Sequence, residues 1–189
     1  MKDSLHRFIV KVMGYLVPVF ALWYWLAPWH LAPVVVVADY VLQGLVPDAV
    51  MWLNLQGSTV IAVTNFGTTA AGVVVTPPPD SEAIGFTLNP LTFTYGLPLL
   101  VALLLATPLS HKMLSIVGGS VMMGVLAVIS LVVSLLKQLA FEVGSAFQLQ
   151  QGLGATSLEW IALAYQVGYL LMPMVMPLII WAFLSQSFI

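Results

Sequence analysis

The chain has no cysteine and very few charged residues, and each shortage excludes whole classes of protein. The absence of cysteine from 189 residues excludes a disulfide framework, thiolate metal sites and a cysteine nucleophile. Only 6% of the residues are charged, against roughly 25% in an ordinary soluble domain. Hydrophobic residues make up 61% of the chain, so its surface is too apolar for a water-soluble globular enzyme. The composition therefore predicts an integral membrane protein surrounded by membrane lipids.

Charge balance and missing motifs narrow the function further. The formal net charge is −2 and there is no basic cluster, which excludes nucleic acid as a partner. The chain carries no metalloprotease, nucleophile-elbow or phosphate-loop motif. His6 and His111 are predicted on one side of the membrane and His30 on the other, so they cannot share a metal. Asp80 and Glu82 follow three prolines and are interpreted as solvated loop carboxylates. We predict no catalytic residue, no metal and no cofactor.

Four charge-free stretches are long enough to cross a bilayer, which takes about 20 apolar residues. They are Met13–Leu31, Leu91–Leu109, Met113–Leu136 and Trp160–Leu184. The polar, β-branched region after the first stretch predicts short strands instead, at Met51–Leu55, Thr59–Asn65, Gly72–Thr76 and Ile84–Leu88. A short helix is predicted between residues 34 and 44. The expected fold is a mainly α membrane protein, with four transmembrane helices and a small β-containing domain between the first two.

The few charges predict the orientation of these helices. Four basic residues lie before the first span or between the second and third, namely Lys2, Arg7, Lys11 and Lys112. By the positive-inside rule both segments are cytoplasmic, so both termini are cytoplasmic too. The predicted organisation is an N-terminal tail and span over 1–31, an extracytoplasmic domain over 32–90, and a three-span bundle over 91–189. Within the bundle we expect a cytoplasmic turn near 110–112 and an outer segment near 138–158.

The N-terminus has two interpretations. A basic start followed by an apolar stretch is typical of a cleaved signal peptide as well as of an uncleaved signal anchor. The residues Trp23–Trp29 are bulky where a signal peptidase needs small ones. We therefore predict an uncleaved first span, with these aromatic residues forming a belt at the outer interface.

Lys137 is the basic residue that runs against the positive-inside pattern. It follows Leu135-Leu136 at the predicted outer end of the third span. Gln138 and Glu142 are four residues apart and would share one helix face beside it. One interpretation is a polar patch for a partner, and the other is a lysine that extends to the outer headgroups. Asp39 is a further acidic residue that this lysine could pair with.

Small residues predict the helix-packing positions. Close helix contacts in membranes favour small residues four apart. The predicted packing set is Ser115, Gly119, Ser120, Gly124 and Ala164. Ala164 lies four residues before Gly168, which is also small. These residues would pack within the chain's own bundle or against another membrane protein.

Three segments carry a family resemblance. They are LNPLTFTYGLPL at 88–99, LLKQLAF at 135–141 and AYQVGYLLMP at 164–173. In this order, in a four-span chain of this length, they resemble the exosortase H-associated membrane proteins of Gram-negative bacteria. The resemblance implies a multi-pass protein of the bacterial inner membrane with a periplasmic domain. It also implies an exosortase as partner, a multi-span, cysteine transpeptidase-like enzyme that processes proteins with a C-terminal sorting signal.

The resemblance implies an accessory role. An exosortase works with Cys, Arg and His, whereas this chain has no cysteine and a single arginine, Arg7. We therefore expect the chain not to be an enzyme. By the same resemblance, residues from the three segments and the neighbouring Glu142 are expected to face the partner. This partner-interface set is Asn89, Tyr95, Lys137, Gln138, Glu142, Tyr165, Gln166 and Gly168.

Three functions remain open at this point. The first is a non-catalytic accessory or scaffold subunit of a protein-sorting complex, bound to another integral membrane protein or to a copy of itself. The second is a small oligomeric transporter or channel subunit, which would need polar residues lining the spans. The third is a membrane enzyme acting at the outer surface, with Asp39, Lys137, Glu142 and Glu159 as candidates for its chemistry.

Overall fold

The structure is a computed structural model, and it describes residues 2–79 and 83–186, with only the main chain for 2–4. The chain is mainly helical and contains one small sheet. The helices are α1 (Lys2–Trp25), α2 (Ala27–Leu45), α3 (Leu91–Thr94), α4 (Gly96–Ala106), α5 (Lys112–Gln138), α6 (Ser145–Gln150), α7 (Ala155–Gln166) and α8 (Met172–Leu184). Two π-helical turns, π1 (Leu139–Val143) and π2 (Val167–Leu171), continue α5 and join α7 to α8. The predicted carboxylates Asp80 and Glu82 lie outside the described residues.

Three of the described helical stretches are long and apolar enough to cross a membrane. They are Leu5–Trp25, Lys112–Val143 and Ala155–Leu184. The third and fourth predicted spans therefore correspond to candidate spans that are longer than expected. The third is extended at its C-terminal end by π1, and the fourth begins earlier, at Ala155. The second predicted span is a shorter apolar stretch, Leu91–Ala106.

The first helix ends earlier than the sequence suggested. It stops at Trp25, and α2 starts at Ala27, so the predicted end of the first span at Leu31 lies inside α2. Pro28 explains the break, because its nitrogen carries no hydrogen for the carbonyl of Tyr24. The helix predicted between residues 34 and 44 exists but is longer than expected.

The four predicted strands are all present as β1 (Val50–Gln56), β2 (Thr59–Thr68), β3 (Val74–Val75) and β4 (Ala83–Leu88). Every pairing is antiparallel, and β2 is central, with β1 on one side and β4 on the other. The β1–β2 turn uses Gly57 at φ 63°, a left-handed conformation that suits two-residue hairpins. β3 pairs only with residues 67–68 of β2.

Among the described residues, the buried side chains form one large core and two smaller ones. The large core joins the sheet to α2, to the C-terminal half of α5 and to α6, with Phe66, Leu131 and Phe147 among its fully buried members. The smaller cores join α1 to α4, and α4 to α5 and α8. Helix α4 thus lies at the centre of the helical bundle, and the sheet packs at one end of it.

A close approach of α4 to α8 fixes this bundle. Pro177 has no N–H, so the carbonyl of Pro173 lacks its usual helical donor. Gly96 lies directly against that carbonyl, and a Cβ atom there would overlap both it and the Pro177 ring. Only glycine permits this contact between main chains.

Candidate functional site

A polar cleft lies where the end of β4 meets the two long helices. Its volume is about 200 Å³. Strand β4, helices α3, α5 and α7 and the turn π2 all contribute to its wall. The lining residues are Thr87, Leu88, Asn89, Thr92, Phe93, Ser134, Lys137, Gln138, Tyr165 and Tyr169.

Both long helices widen into π-turns beside this cleft. Turn π1 begins directly after Gln138, and π2 contains Tyr169. Side chains donate hydrogen bonds to main-chain carbonyls in the wider turns. The Gln148 amide donates to the Ala140 carbonyl at 2.8 Å, and the Ser130 hydroxyl donates to the Gly168 carbonyl at 3.1 Å. Such turns occur frequently at functional sites.

Lys137 is held in place by two neighbours. Its Nζ lies 3.4 Å from Oε1 of Glu142 and 5.7 Å from the ring centroid of Tyr165. The Tyr165 ring stacks on Tyr169 at 5.4 Å between centroids. The lysine and glutamate side chains are 34% and 48% exposed, so the ion pair contributes no more than about 1 kcal/mol to stability. Its main effect is to position the ammonium group beside the aromatic wall.

The amide of Gln138 is the unsatisfied polar group of the cleft. Its Oε1 is buried and has no hydrogen-bond partner among the described residues. Two other polar side chains of the cleft are paired locally, since the Ser134 hydroxyl donates to the Ser130 carbonyl and Asn89 accepts from the Leu91 amide. A buried amide oxygen without a donor costs free energy until a ligand supplies one. A donor supplied by a ligand at this wall of the cleft would remove that cost.

Four of the eight predicted interface residues line this cleft together, namely Asn89, Lys137, Gln138 and Tyr165. Glu142 contacts the cleft only through Lys137, and Gly168 is buried behind it against Ser130. The expected single cluster also contained Tyr95 and Gln166, and neither lines the cleft. Gln166 is exposed on another side of α7, and Tyr95 is half-buried between α3 and α4.

Sequence reasoning missed several lining residues. Tyr169 follows Tyr165 by four residues, and Ser134 precedes Lys137 by three, so helical spacing could have found both. Thr87 and Thr92 reach the cleft because β4 turns directly into α3 at Asn89, a connection that periodicity does not reveal.

The predicted packing residues have different surroundings. Gly119 is buried, with Leu100 and Leu184 side chains close to where its Cβ would lie. No atom lies near the corresponding position of Gly124, which with Ser120 lines an apolar groove of about 510 Å³ between α2 and α5. Ser115 is half-buried, and Ala164 is exposed on α7.

The acidic candidates for outer-surface chemistry do not converge. Asp39 was considered as a partner for Lys137, but its carboxylate bonds the Gln43 side chain and the Leu53 amide. Glu159 is exposed on α7. Within the described ranges, no three His, Asp or Glu side chains are grouped to hold a metal. What the cleft offers chemically is an ammonium group, amides, hydroxyls and an aromatic wall.

No curated protein and no solved structure matches the chain. A family model described as exosortase H-associated membrane protein matches residues 2–188. This match covers the cleft, the sheet and all three candidate spans, and it agrees with the resemblance of the segments at 88–99, 135–141 and 164–173. The chain belongs to the family of exosortase H-associated membrane proteins.

Proposed function

We propose that this protein is a non-catalytic accessory subunit of an exosortase-type protein-sorting complex in the bacterial inner membrane. The observation that carries this proposal is the polar cleft, which joins the sheet to the helical bundle. Its one charged lining residue, Lys137, is paired with Glu142 and stands over an aromatic ring. Such a site suits recognition of a partner, because its lysine is positioned by its neighbours beside an aromatic wall.

We propose that Leu91–Ala106 is a fourth span. Its 16 residues make a helix of about 24 Å, against about 30 Å of hydrocarbon. Helix α4 nevertheless packs against α1, α5 and α8 and has most of its residues buried among them. A helix enclosed by three spanning helices is shielded from lipid, so it does not need the full length itself.

The same arrangement supports an orientation with both termini in the cytoplasm. Four of the five basic residues then lie on the cytoplasmic side, and the sheet becomes a periplasmic domain. The cleft also faces the periplasm in this orientation, because Lys137 lies at the end of α5 that is remote from Lys112. An exosortase or another integral membrane protein would meet it there. A complex between copies of this chain is the alternative partner.

We expect labelling from the outside at the loop before β3 and in helix α6, which lie on the proposed periplasmic side. The chain has no cysteine, so single cysteines can be placed at will. A cysteine at Val73 or Leu149, both strongly exposed, should react with a membrane-impermeant maleimide added to intact spheroplasts. A cysteine at His111, exposed in the turn between α4 and α5, should react only after lysis. Labelling of His111→Cys from outside would contradict the proposed orientation.

We expect the native protein to be recovered in a complex. Mild detergent extraction and affinity purification from native membranes should yield it with another multi-span protein in a fixed ratio. Mass spectrometry would identify that protein. Recovery of the chain by itself, at the mass of a monomer, would contradict the accessory role.

A further inference from the structure

The sheet protects one of its edges and leaves the other open. Helix α2 packs along the outer edge of β1. There Oδ1 of Asp39 accepts a hydrogen bond of 3.2 Å from the main-chain N–H of Leu53. A helix and a carboxylate thus cover the β1 edge, which is a common way to prevent pairing with other chains.

This contact also fixes which main-chain groups of β4 point outward. Because the Leu53 amide points away from β2, its antiparallel pair with Ala62 is of the non-hydrogen-bonded type. The polar groups of Ala62 then point to the other side, towards its β4 partner Phe86. Directions alternate along a strand, so the main-chain groups of Gly85 and Thr87 point away from the sheet.

A second contact gives the same assignment independently. The hydroxyl of Thr64 in β2 donates a hydrogen bond of 2.8 Å to the Ile84 carbonyl, which therefore points towards β2. Alternation from Ile84 again directs Gly85 and Thr87 outward. Both residues are exposed, and no strand among residues 2–79 and 83–186 pairs with this edge of β4.

The open edge leads into the polar cleft. Thr87 lies on the edge and also lines the cleft, as does Gln138. An unpaired strand edge needs main-chain donors and acceptors, and Oε1 of Gln138 lacks a donor. A peptide group supplies both. The two features thus require one kind of ligand at adjoining positions.

We propose that the β4 edge and the cleft together bind an extended segment of a partner polypeptide, which adds a strand at Gly85 and Thr87 and bonds the Gln138 amide. This inference rests on the proposed function and names what the partner inserts. Strand addition of this kind obtains affinity from main-chain bonds and specificity from adjacent pockets. Lys137 is paired with Glu142, but its ammonium group has three donors, so it favours a segment with an amide side chain at the position that enters the cleft.

Other occupants fit less well. A phosphate or nucleotide would meet one lysine that is already paired with Glu142. A second folded copy of this chain would have to bring its own sheet edge into a cleft of about 200 Å³. A short stretch of extended polypeptide fits this space and satisfies the edge.

The test is site-directed photo-crosslinking of the full chain in native membranes. Benzoylphenylalanine replaces Tyr165, a residue that lines the cleft. The replacement keeps an aromatic ring at this position. The comparison is Thr87→Pro against Thr87→Val. Proline removes the outward N–H and leaves the pairing with β2 intact, as edge positions allow. Valine keeps the N–H and the preference for a strand.

We expect one adduct, to a single continuous segment of another protein, identified by mass spectrometry. Its yield should fall about fivefold in Thr87→Pro relative to Thr87→Val, as for the loss of one net hydrogen bond. Equal yields in the two variants would overturn the proposal. So would the absence of an adduct, or an adduct with lipid, with carbohydrate or with a second copy of this chain.

A second variant covers the case in which Thr87→Pro does not fold. Gln138→Leu leaves β4 untouched and removes the cleft amide, so it should also reduce the adduct about fivefold. An undiminished yield in this variant would overturn the proposal as well. Wild-type protein purified without any partner would refute the proposed function, whereas a retained partner with equal crosslinking in both Thr87 variants would refute only the strand addition.

Discussion

Replacing Gly96 by alanine should destabilise the helical bundle more than the same change at Gly118 or Gly119. The new Cβ would overlap the main-chain carbonyl of Pro173 and lie 2.7 Å from Cγ of Pro177. Neither group can rotate away, so α4 and α8 must separate. We expect a loss of about 3 kcal/mol or more in the free energy of unfolding, at the upper end of overpacking effects. Thermal unfolding in detergent, followed by circular dichroism, measures it.

Two other glycines provide matched controls in α5. A Cβ at Gly118 would meet no atom within 4 Å, so alanine should raise helix stability by about 0.5–1 kcal/mol. At Gly119 the nearest atoms are the ends of leucine side chains, which can move, and alanine should cost less than at Gly96. If the Gly96→Ala protein unfolds at the same temperature as the Gly118→Ala protein, the main-chain contact between α4 and α8 is not present.

Reversing the charge of Lys137 should largely abolish partner binding. Lys137→Glu puts a second carboxylate beside Glu142 and removes the cation from the face of Tyr165. Because both side chains are at least one-third exposed, the effect on folding stays within about 1 kcal/mol. Loss of a charged contact in the cleft should lower partner affinity about tenfold or more. The fraction of partner recovered in co-purification reports this change.

The double variant Lys137→Glu/Glu142→Lys separates the structural role of the ion pair from direct contact between Lys137 and the partner. It restores an ion pair of opposite direction, so thermal stability should return to the wild-type value. Partner recovery should stay low, because the cation no longer lies in the cleft. Full recovery of the partner in the exchanged protein would mean that Lys137 acts only by holding the cleft open.

The elements that the sequence predicted well are those with local signals. All four strands of the sheet were predicted, because turn residues such as Gly57 separate short β-branched runs. The two long C-terminal candidate spans were predicted because each contains a charge-free apolar stretch long enough to cross a bilayer. Helix α2 was underestimated because Val34–Val37 favours a strand by propensity, whereas packing against α5 and β1 makes this run helical.

The cleft was only partly predictable, and the π-turns explain why. Sequence reasoning used 3.6 residues per turn and therefore placed Gln138 and Glu142, four apart, on one face. In the structure Glu142 instead pairs with Lys137, five residues before it. In a regular α-helix residues five apart point in well-separated directions, and the wider π1 turn brings them together. The local sequence pattern does not predict the π1 turn.

Turn π2 also sets the rotational phase of the helix that follows it. It inserts one residue relative to an α-helix, which turns the rest of the helix by about 100° about its axis. Beyond π2 this offset determines that Pro173, Pro177 and Ile180 face inward, while Met174 and Phe183 face outward. A helix without that extra residue would present its outward side chains to α4 and carry the bare carbonyl of Pro173 away from Gly96. The same inserted residue that shapes the ligand cleft thus keeps the last helix in phase with the bundle.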